Sequence, residues 1–147
     1  MPIRDEVRVK DAVVVVTLHG KLAVSDYAVV AERIIADENV EAGFGLLLDG
    51  RTLDPLPSVE ELRALVEVAR QVRAHGVEPF ALVADNDLQF VVGQLFATIA
   101  RAVINLDARV FRSMDVALAW LKTTAARRRD AKTPGLGGSG NSPNMPA

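Results

Sequence analysis

Four consecutive valines, Val13–Val16, constrain the fold of this 147-residue chain more than any other feature. A β-branched run favours a strand, and successive side chains of a strand point to opposite faces of its sheet. Because this run has no polar face, both of its faces must be covered by other elements. A second strand is predicted just before it, over Val7–Val9, with a tight turn at Lys10 and Asp11. The chain therefore predicts a layered α/β domain.

Helix and strand patterns alternate after the valine strand, which Gly20 closes. Apolar residues at helical spacing predict a first helix that is capped by Ser25 and ends near Glu38. Phe44–Asp49 is typical of a buried parallel strand and leads into a loop at Gly50. The next helix should begin at a capping box.

That capping box is formed by Ser58 and Glu61, and the helix it opens should stop near Gly76. A further strand is predicted over Pro79–Ala84. The long apolar segment 88–106 then predicts a helix capped by Asp87. The last elements are a strand over 109–112 and an amphipathic helix that is capped by Ser113. The element order is β-β-α-β-α-β-α-β-α.

Composition limits the classes of function. Half of the residues are hydrophobic, which is ample for one packed domain over residues 1–126, and the net charge of −2 gives no case for a nucleic-acid partner. The absence of cysteine excludes disulfides, thiolate nucleophiles and Cys-ligated metals. The charged N-terminus lacks the apolar run of a signal peptide, so we expect a cytoplasmic protein. Residues 127–147, basic at first and then rich in Gly, Pro, Ser and Asn, predict a disordered tail.

Three segments resemble the STAS domain, which is named for sulphate transporters and anti-sigma-factor antagonists. Val13–Gly20 is similar to the family's second strand, Leu46–Gly50 to its third strand and the loop after it, and Arg109–Leu121 to its last strand and helix. The likeness covers about residues 7–123 and is closer to stand-alone bacterial STAS-like proteins. It implies a mixed β-sheet with about four helices and a non-enzymatic role in protein interaction or regulation.

Ser58 has two interpretations. Anti-sigma-factor antagonists carry an Asp-Ser-(Ser/Thr)-Gly-like loop whose hydroxyl is phosphorylated, and the resemblance places Ser58 near that phosphoacceptor. The corresponding stretch here is Leu56–Val59, without the preceding Asp or the following Gly. Ser58 is otherwise a helix cap, and the neighbouring Glu60 and Glu61 would repel a phosphate group.

Carboxylates follow two of the predicted strands and could hold Mg²⁺ for phosphoryl transfer, although Asp is also an ordinary turn residue. These residues are Asp49, Asp54, Asp85 and Asp87. The histidines, His19 and His75, form no recognisable catalytic set. No motif predicts a cofactor or a metal site.

Segment 88–106 is long enough to cross a bilayer, but polar residues interrupt it, so we do not expect a membrane span. It is also too apolar for a simple surface helix, because its apolar residues cover more than one stripe. It is either buried in the fold or covered by a second subunit or an apolar ligand. The residues predicted to form that face are Phe90, Val91, Leu95, Phe96, Ile99 and Val103.

Three hypotheses follow for the function. The first is a non-enzymatic STAS-like module that acts through protein–protein contacts and self-associates as a homodimer. The second is a binding protein for an apolar or lipid-like small molecule that is held under the 88–106 helix. The third is an Mg²⁺-dependent enzyme that uses Asp49 and Asp85.

Overall fold

The computed structural model describes the backbone of residues 3–132 and the side chains of residues 3–124. The strands are β1 (Ile3–Arg8), β2 (Val13–Gly20), β3 (Gly45–Leu53), β4 (Phe80–Val83) and β5 (Ala108–Phe111). The helices are α1 (Val24–Ala36), α2 (Val59–Ala74), α3 (Asp87–Ile104) and α4 (Met114–Lys132), with a single 3₁₀ turn at Val9–Asp11. This order confirms the predicted α/β arrangement.

The five strands form one mixed sheet in the order β1-β2-β3-β4-β5. β1 runs antiparallel to β2, and each later strand is parallel to the one before it. The carboxyl ends of β2 to β5 therefore meet at one edge of the sheet, where ligand sites of α/β proteins are usually formed.

Helices cover both faces of the sheet. Val14 and Val16 belong to a large core together with buried residues of α1, α2 and α3. Val13 and Val15 belong to a smaller core together with Ala117 and other residues of α4. All four valines are buried, which confirms that the valine strand is covered on both sides.

Two of the predicted helix caps are confirmed. The Ser58 hydroxyl accepts from the Glu61 amide at 3.1 Å, and the Glu61 carboxylate accepts from the Ser58 amide at 2.9 Å. The Ser113 hydroxyl accepts from the Val116 amide at 3.3 Å. These side chains satisfy amides that the first turn of a helix leaves without partners.

Two other predicted caps are wrong, because in each case a nearby earlier residue occupies the cap position. Ser25 lies inside the first turn of α1, whose cap position is Ala23, and the Ala23 amide donates to the carboxylate of Asp26 at 2.8 Å. Asn86, not Asp87, caps α3 by accepting from the Gln89 amide at 2.9 Å. Neighbouring polar residues compete for a cap, and the backbone path decides between them.

β3 is longer than predicted. The loop expected at Asp49 and Gly50 is a continuation of the strand, because parallel pairing with β2 resumes at Thr52 and Leu53 after an irregularity. Asp49 therefore lies within a strand and is buried. The chain then enters α2 through a short loop that contains Pro55 and Pro57.

The backbone of α4 continues to Lys132, beyond Arg127–Arg129 and into the segment that composition predicts to be disordered. The prediction for residues 133–147 lies outside the described residues. The basic side chains at 127–129 also lie outside the range of described side chains.

Candidate functional site

An apolar cavity of about 130 Å³ lies between the sheet and helices α1, α2 and α3. Val16, Leu46 and Leu82 contribute its floor from three neighbouring strands, and Val30 and Leu65 contribute to its walls from two helices. We call it the main cavity. Its position under α3 is where the second functional hypothesis places a ligand.

Small residues leave this space open. Ala31 of α1, Ala69 of α2 and Gly93 of α3 all line the main cavity, and each lies at a buried position of its helix. Larger side chains at Ala31 and Ala69 would extend toward this space, whereas at Gly93 an added Cβ would already lie 3.2 Å from both γ-methyl groups of Val110. The sequence shows these small residues on three helices, but it does not show that they line one cavity.

Tyr27 and Gln89 are the polar side chains among the residues that line the main cavity. Both ends of the Gln89 amide are hydrogen-bonded: its carbonyl oxygen accepts from the Asp85 amide at 2.6 Å, and its nitrogen donates to the Arg51 carbonyl at 3.0 Å. Tyr27 makes no hydrogen bond with the described residues. The free polar group of the cavity is therefore the Tyr27 hydroxyl.

The environment of Tyr27 keeps its hydroxyl protonated. Burial, and secondarily the charges of Glu61 and Asp26, raise the pKa of Tyr27 from 10.0 to about 12. Like any tyrosine, the side chain is neutral near pH 7 and can donate a hydrogen bond, and the raised pKa extends this neutral state to higher pH.

A smaller cavity of about 50 Å³ adjoins the main one and is called the outer cavity. Lys21, which follows β2, and Pro55, which follows β3, contribute to its lining together with Glu61. The two cavities share the residues of one wall, which are Tyr27, Leu53, Leu56, Pro57 and Leu65. The pair thus reaches from the apolar interior to the carboxyl edge of the sheet.

The α3 helix turns part of its apolar surface to solvent. Val91, Leu95 and Val103, which were predicted for an interface, are exposed, with 61% of Val91 accessible. Leu88, which the sequence analysis left out, is 65% accessible. Leu88, Val91, Leu95 and Val103 are called the α3 stripe.

The other three residues predicted for this face are less exposed. Phe96 is only 6% accessible and lines the main cavity, so of the two roles predicted for this face it is placed for contact with an apolar ligand and not for an outer interface. Phe90 and Ile99 are half-buried. The guanidinium of Arg112 lies 4.5 Å from the Phe90 ring centroid and also pairs with Asp87 at 2.8 Å.

α3 is long and apolar enough to cross a membrane by length and composition. Core helices of soluble proteins pass the same test, and α3 packs on β5 and α2 in this domain.

The carboxylates considered for Mg²⁺ have different surroundings in the structure. Both oxygens of Asp49 accept from Arg51, at 2.9 Å each. Asp87 pairs with Arg112, and Asp85 is exposed. Within residues 3–124, no three His, Cys, Asp or Glu side chains are grouped to hold a metal ion. His19 and His75 are exposed and lie on different elements.

Comparison with known protein families shows which family the chain belongs to. The family model described as SpoIIAA-like matches residues 13–122, which include β2 to β5 and all of α1, α2 and α3. The chain belongs to the SpoIIAA-like family. This membership confirms the STAS-like resemblance found in the sequence. No curated protein matches the chain.

A solved structure shows the same SpoIIAA-like fold. It is the crystal structure of an uncharacterized protein of the DUF3478 family from Shewanella loihica PV-4, with a TM-score of 0.56 and 21% identity. The match covers 81% of this chain and 91% of that one. At this identity, the likeness establishes the fold.

Proposed function

We propose that this SpoIIAA-like protein is a non-enzymatic binding module that holds an apolar small molecule in the main cavity. The observation that carries the proposal is the cavity itself, an apolar space of about 130 Å³ with one free polar side chain. Among the three hypotheses, this geometry favours the apolar-ligand alternative. The engagement of Asp49 by Arg51 supports a role other than metal-dependent phosphoryl transfer.

The size of the main cavity supports this proposal physically. Protein interiors are close-packed, and voids larger than a water molecule are few. The main cavity is partly open to the surface, and its apolar lining lacks packing partners on that side. An engineered apolar cavity of about 150 Å³ stays dry and binds benzene. A ligand of similar size would recover part of the lost packing energy.

Native mass spectrometry of protein purified from its bacterial source, with solvent extraction of the sample, tests the proposal. We expect a retained small molecule that extracts into an apolar solvent. Ala69→Leu should fill the cavity and remove the retained molecule. Ala74→Leu is the matched control, because it makes the same change at an exposed position of α2. The proposal would be contradicted if none of the three proteins (wild type, Ala69→Leu and Ala74→Leu) retained a molecule, or if all three did.

Self-association is a second candidate function, and the α3 stripe favours it. Four exposed aliphatic residues on one helix are typical of a surface that meets another protein, and a two-fold contact would bring the stripe against itself. In this proposal, the protein acts in the bacterial cytoplasm as a homodimeric regulatory module with a protein partner. Phosphorylation of Ser58 stays a prediction within it.

A further inference from the structure

We infer that the ligand of the main cavity has an apolar tail and one uncharged hydrogen-bonding end, which contacts the Tyr27 hydroxyl, and that the site rejects carboxylates. This inference rests on the proposed function and specifies the chemistry of the ligand. It follows from the position of Tyr27, from the free state of its hydroxyl and from the charges around it.

Tyr27 stands where the two cavities meet, because its side chain lines both of them. A tail lying in the main cavity would place its other end beside this residue. Gln89, the other polar lining residue, is oriented by hydrogen bonds to the backbone of Asp85 and Arg51. A polar end would therefore be recognised at Tyr27 and not under the start of α3.

A half-buried hydroxyl without a protein partner favours a ligand that can accept its hydrogen bond. Among the described residues this hydroxyl is not one of the buried polar atoms that lack a partner, so water can reach it, and a ligand oxygen would take the place of that water as acceptor. An alcohol, carbonyl or ester oxygen is a suitable acceptor.

The charges at this junction disfavour an anion. Glu61 lines the outer cavity together with Tyr27, and Asp26 directly precedes Tyr27 in α1. Consistent with this placement, both charges raise the pKa of Tyr27. Lys21 lines the outer cavity but is not among the causes of that shift. A carboxylate placed against Tyr27 would thus be repelled by Glu61 and Asp26 while losing its hydration.

The tail is short or compact. The main cavity is close in volume to one that holds benzene, which corresponds to about six carbon atoms. Hexan-1-ol and hexanoate are therefore suitable probes, since they share a tail and differ in the charge of the end group. Benzene is a third probe that needs no polar recognition.

Titration of the full chain near neutral pH, followed by NMR chemical shifts, tests the inference. We expect hexan-1-ol to bind on the order of tenfold more tightly than hexanoate. Tyr27→Phe should weaken hexan-1-ol on the order of fivefold, as for one lost hydrogen bond, and leave benzene binding unchanged. Phenylalanine retains the ring that forms the shared wall.

Two charge-neutralising variants test the rejection of carboxylates. Glu61→Gln keeps an oxygen for the Ser58 amide, and Asp26→Asn keeps one for the Ala23 amide, so both helix starts are preserved. We expect each variant to tighten hexanoate binding by a fewfold and to leave hexan-1-ol binding unchanged.

The outcomes separate this inference from the proposed function. If benzene and hexan-1-ol bind but hexanoate binds as tightly, or if Tyr27→Phe weakens none of the probes, the inference is overturned and the apolar site stands. If none of the three probes binds wild-type protein, both the inference and the proposed function are wrong.

Discussion

Ser58 illustrates how a single side chain sets the start of an element next to the cavities. Its hydroxyl and the Glu61 carboxylate each satisfy a backbone amide of the first turn of α2, and the adjacent Pro57 lines both cavities. This local arrangement was predictable because a capping box is encoded by two residue types at a fixed spacing.

Ser58→Ala should lower the free energy of unfolding by about 0.5–2 kcal/mol, because the capping hydrogen bond to the Glu61 amide is lost. Ser58→Asp should be nearly neutral, since aspartate also caps. Urea denaturation of the three proteins measures both effects. Unchanged stability of Ser58→Ala together with a large loss of partner binding would instead support the phosphorylation role.

Gly76 closes the turn after α2 with a backbone conformation that side chains disfavour. Its φ is +97°, and an added Cβ would lie 2.6 Å from the Cβ of Ala42. We predict that Gly76→Ala lowers the free energy of unfolding by more than about 1 kcal/mol. Gly20→Ala is the control, because Gly20 has a φ of +69° but no atom near its added Cβ. Equal losses in thermal unfolding would contradict a steric contribution at Gly76.

Tyr27 should make stability depend on pH in the alkaline range. Its pKa is raised from 10.0 to about 12, so the folded state holds the phenolic proton more tightly than the unfolded state. This contribution is complete below pH 10 and is lost as the pH rises from 10 towards 12. We predict a steeper fall in unfolding free energy over that interval for wild type than for Tyr27→Phe. Parallel curves would show that the hydroxyl titrates alike in both states.

At the scale of elements, α3 shows what periodicity can and cannot provide. Its apolar pattern left open whether the helix is buried or partly uncovered, and in the structure Phe96 is buried whereas Val91 and Leu95 are exposed. The pattern could not show that Phe96 faces the sheet, because the apolar residues of α3 occupy more than one side of the helix. Orientation depends on how α3 packs against α2 and β5, and the periodicity of α3 itself does not report those contacts.

Charge substitutions on α3 test self-association. Val91→Glu should leave the unfolding free energy within about 0.5 kcal/mol of wild type and should dissociate the dimer. Phe96→Glu should unfold the protein, because it places a charge in the buried core. Sedimentation velocity and circular dichroism measure the two effects. A monomeric wild type at high concentration would contradict the dimer proposal.

At the scale of the whole molecule, the order of elements was predictable and the cavity was not. Each strand or helix carries a local signal, such as the Val13–Val16 run or the capping box at Ser58. The lining of the cavity brings together Ala31, Ala69 and Gly93, which lie on three different helices. No local pattern reports how such residues meet, and the same limit hid the role of Tyr27 at the junction of the cavities.

Methyl NMR during a titration with benzene is the most direct test of the central claim, that the main cavity binds an apolar molecule. The two faces of the sheet provide the comparison within one sample. The account predicts saturable shifts at Val16, Leu46 and Leu82, which line the cavity, and none at Val15 and Leu47, which face α4. Absence of saturable shifts at the lining methyls, or equal shifts on both faces, would contradict it.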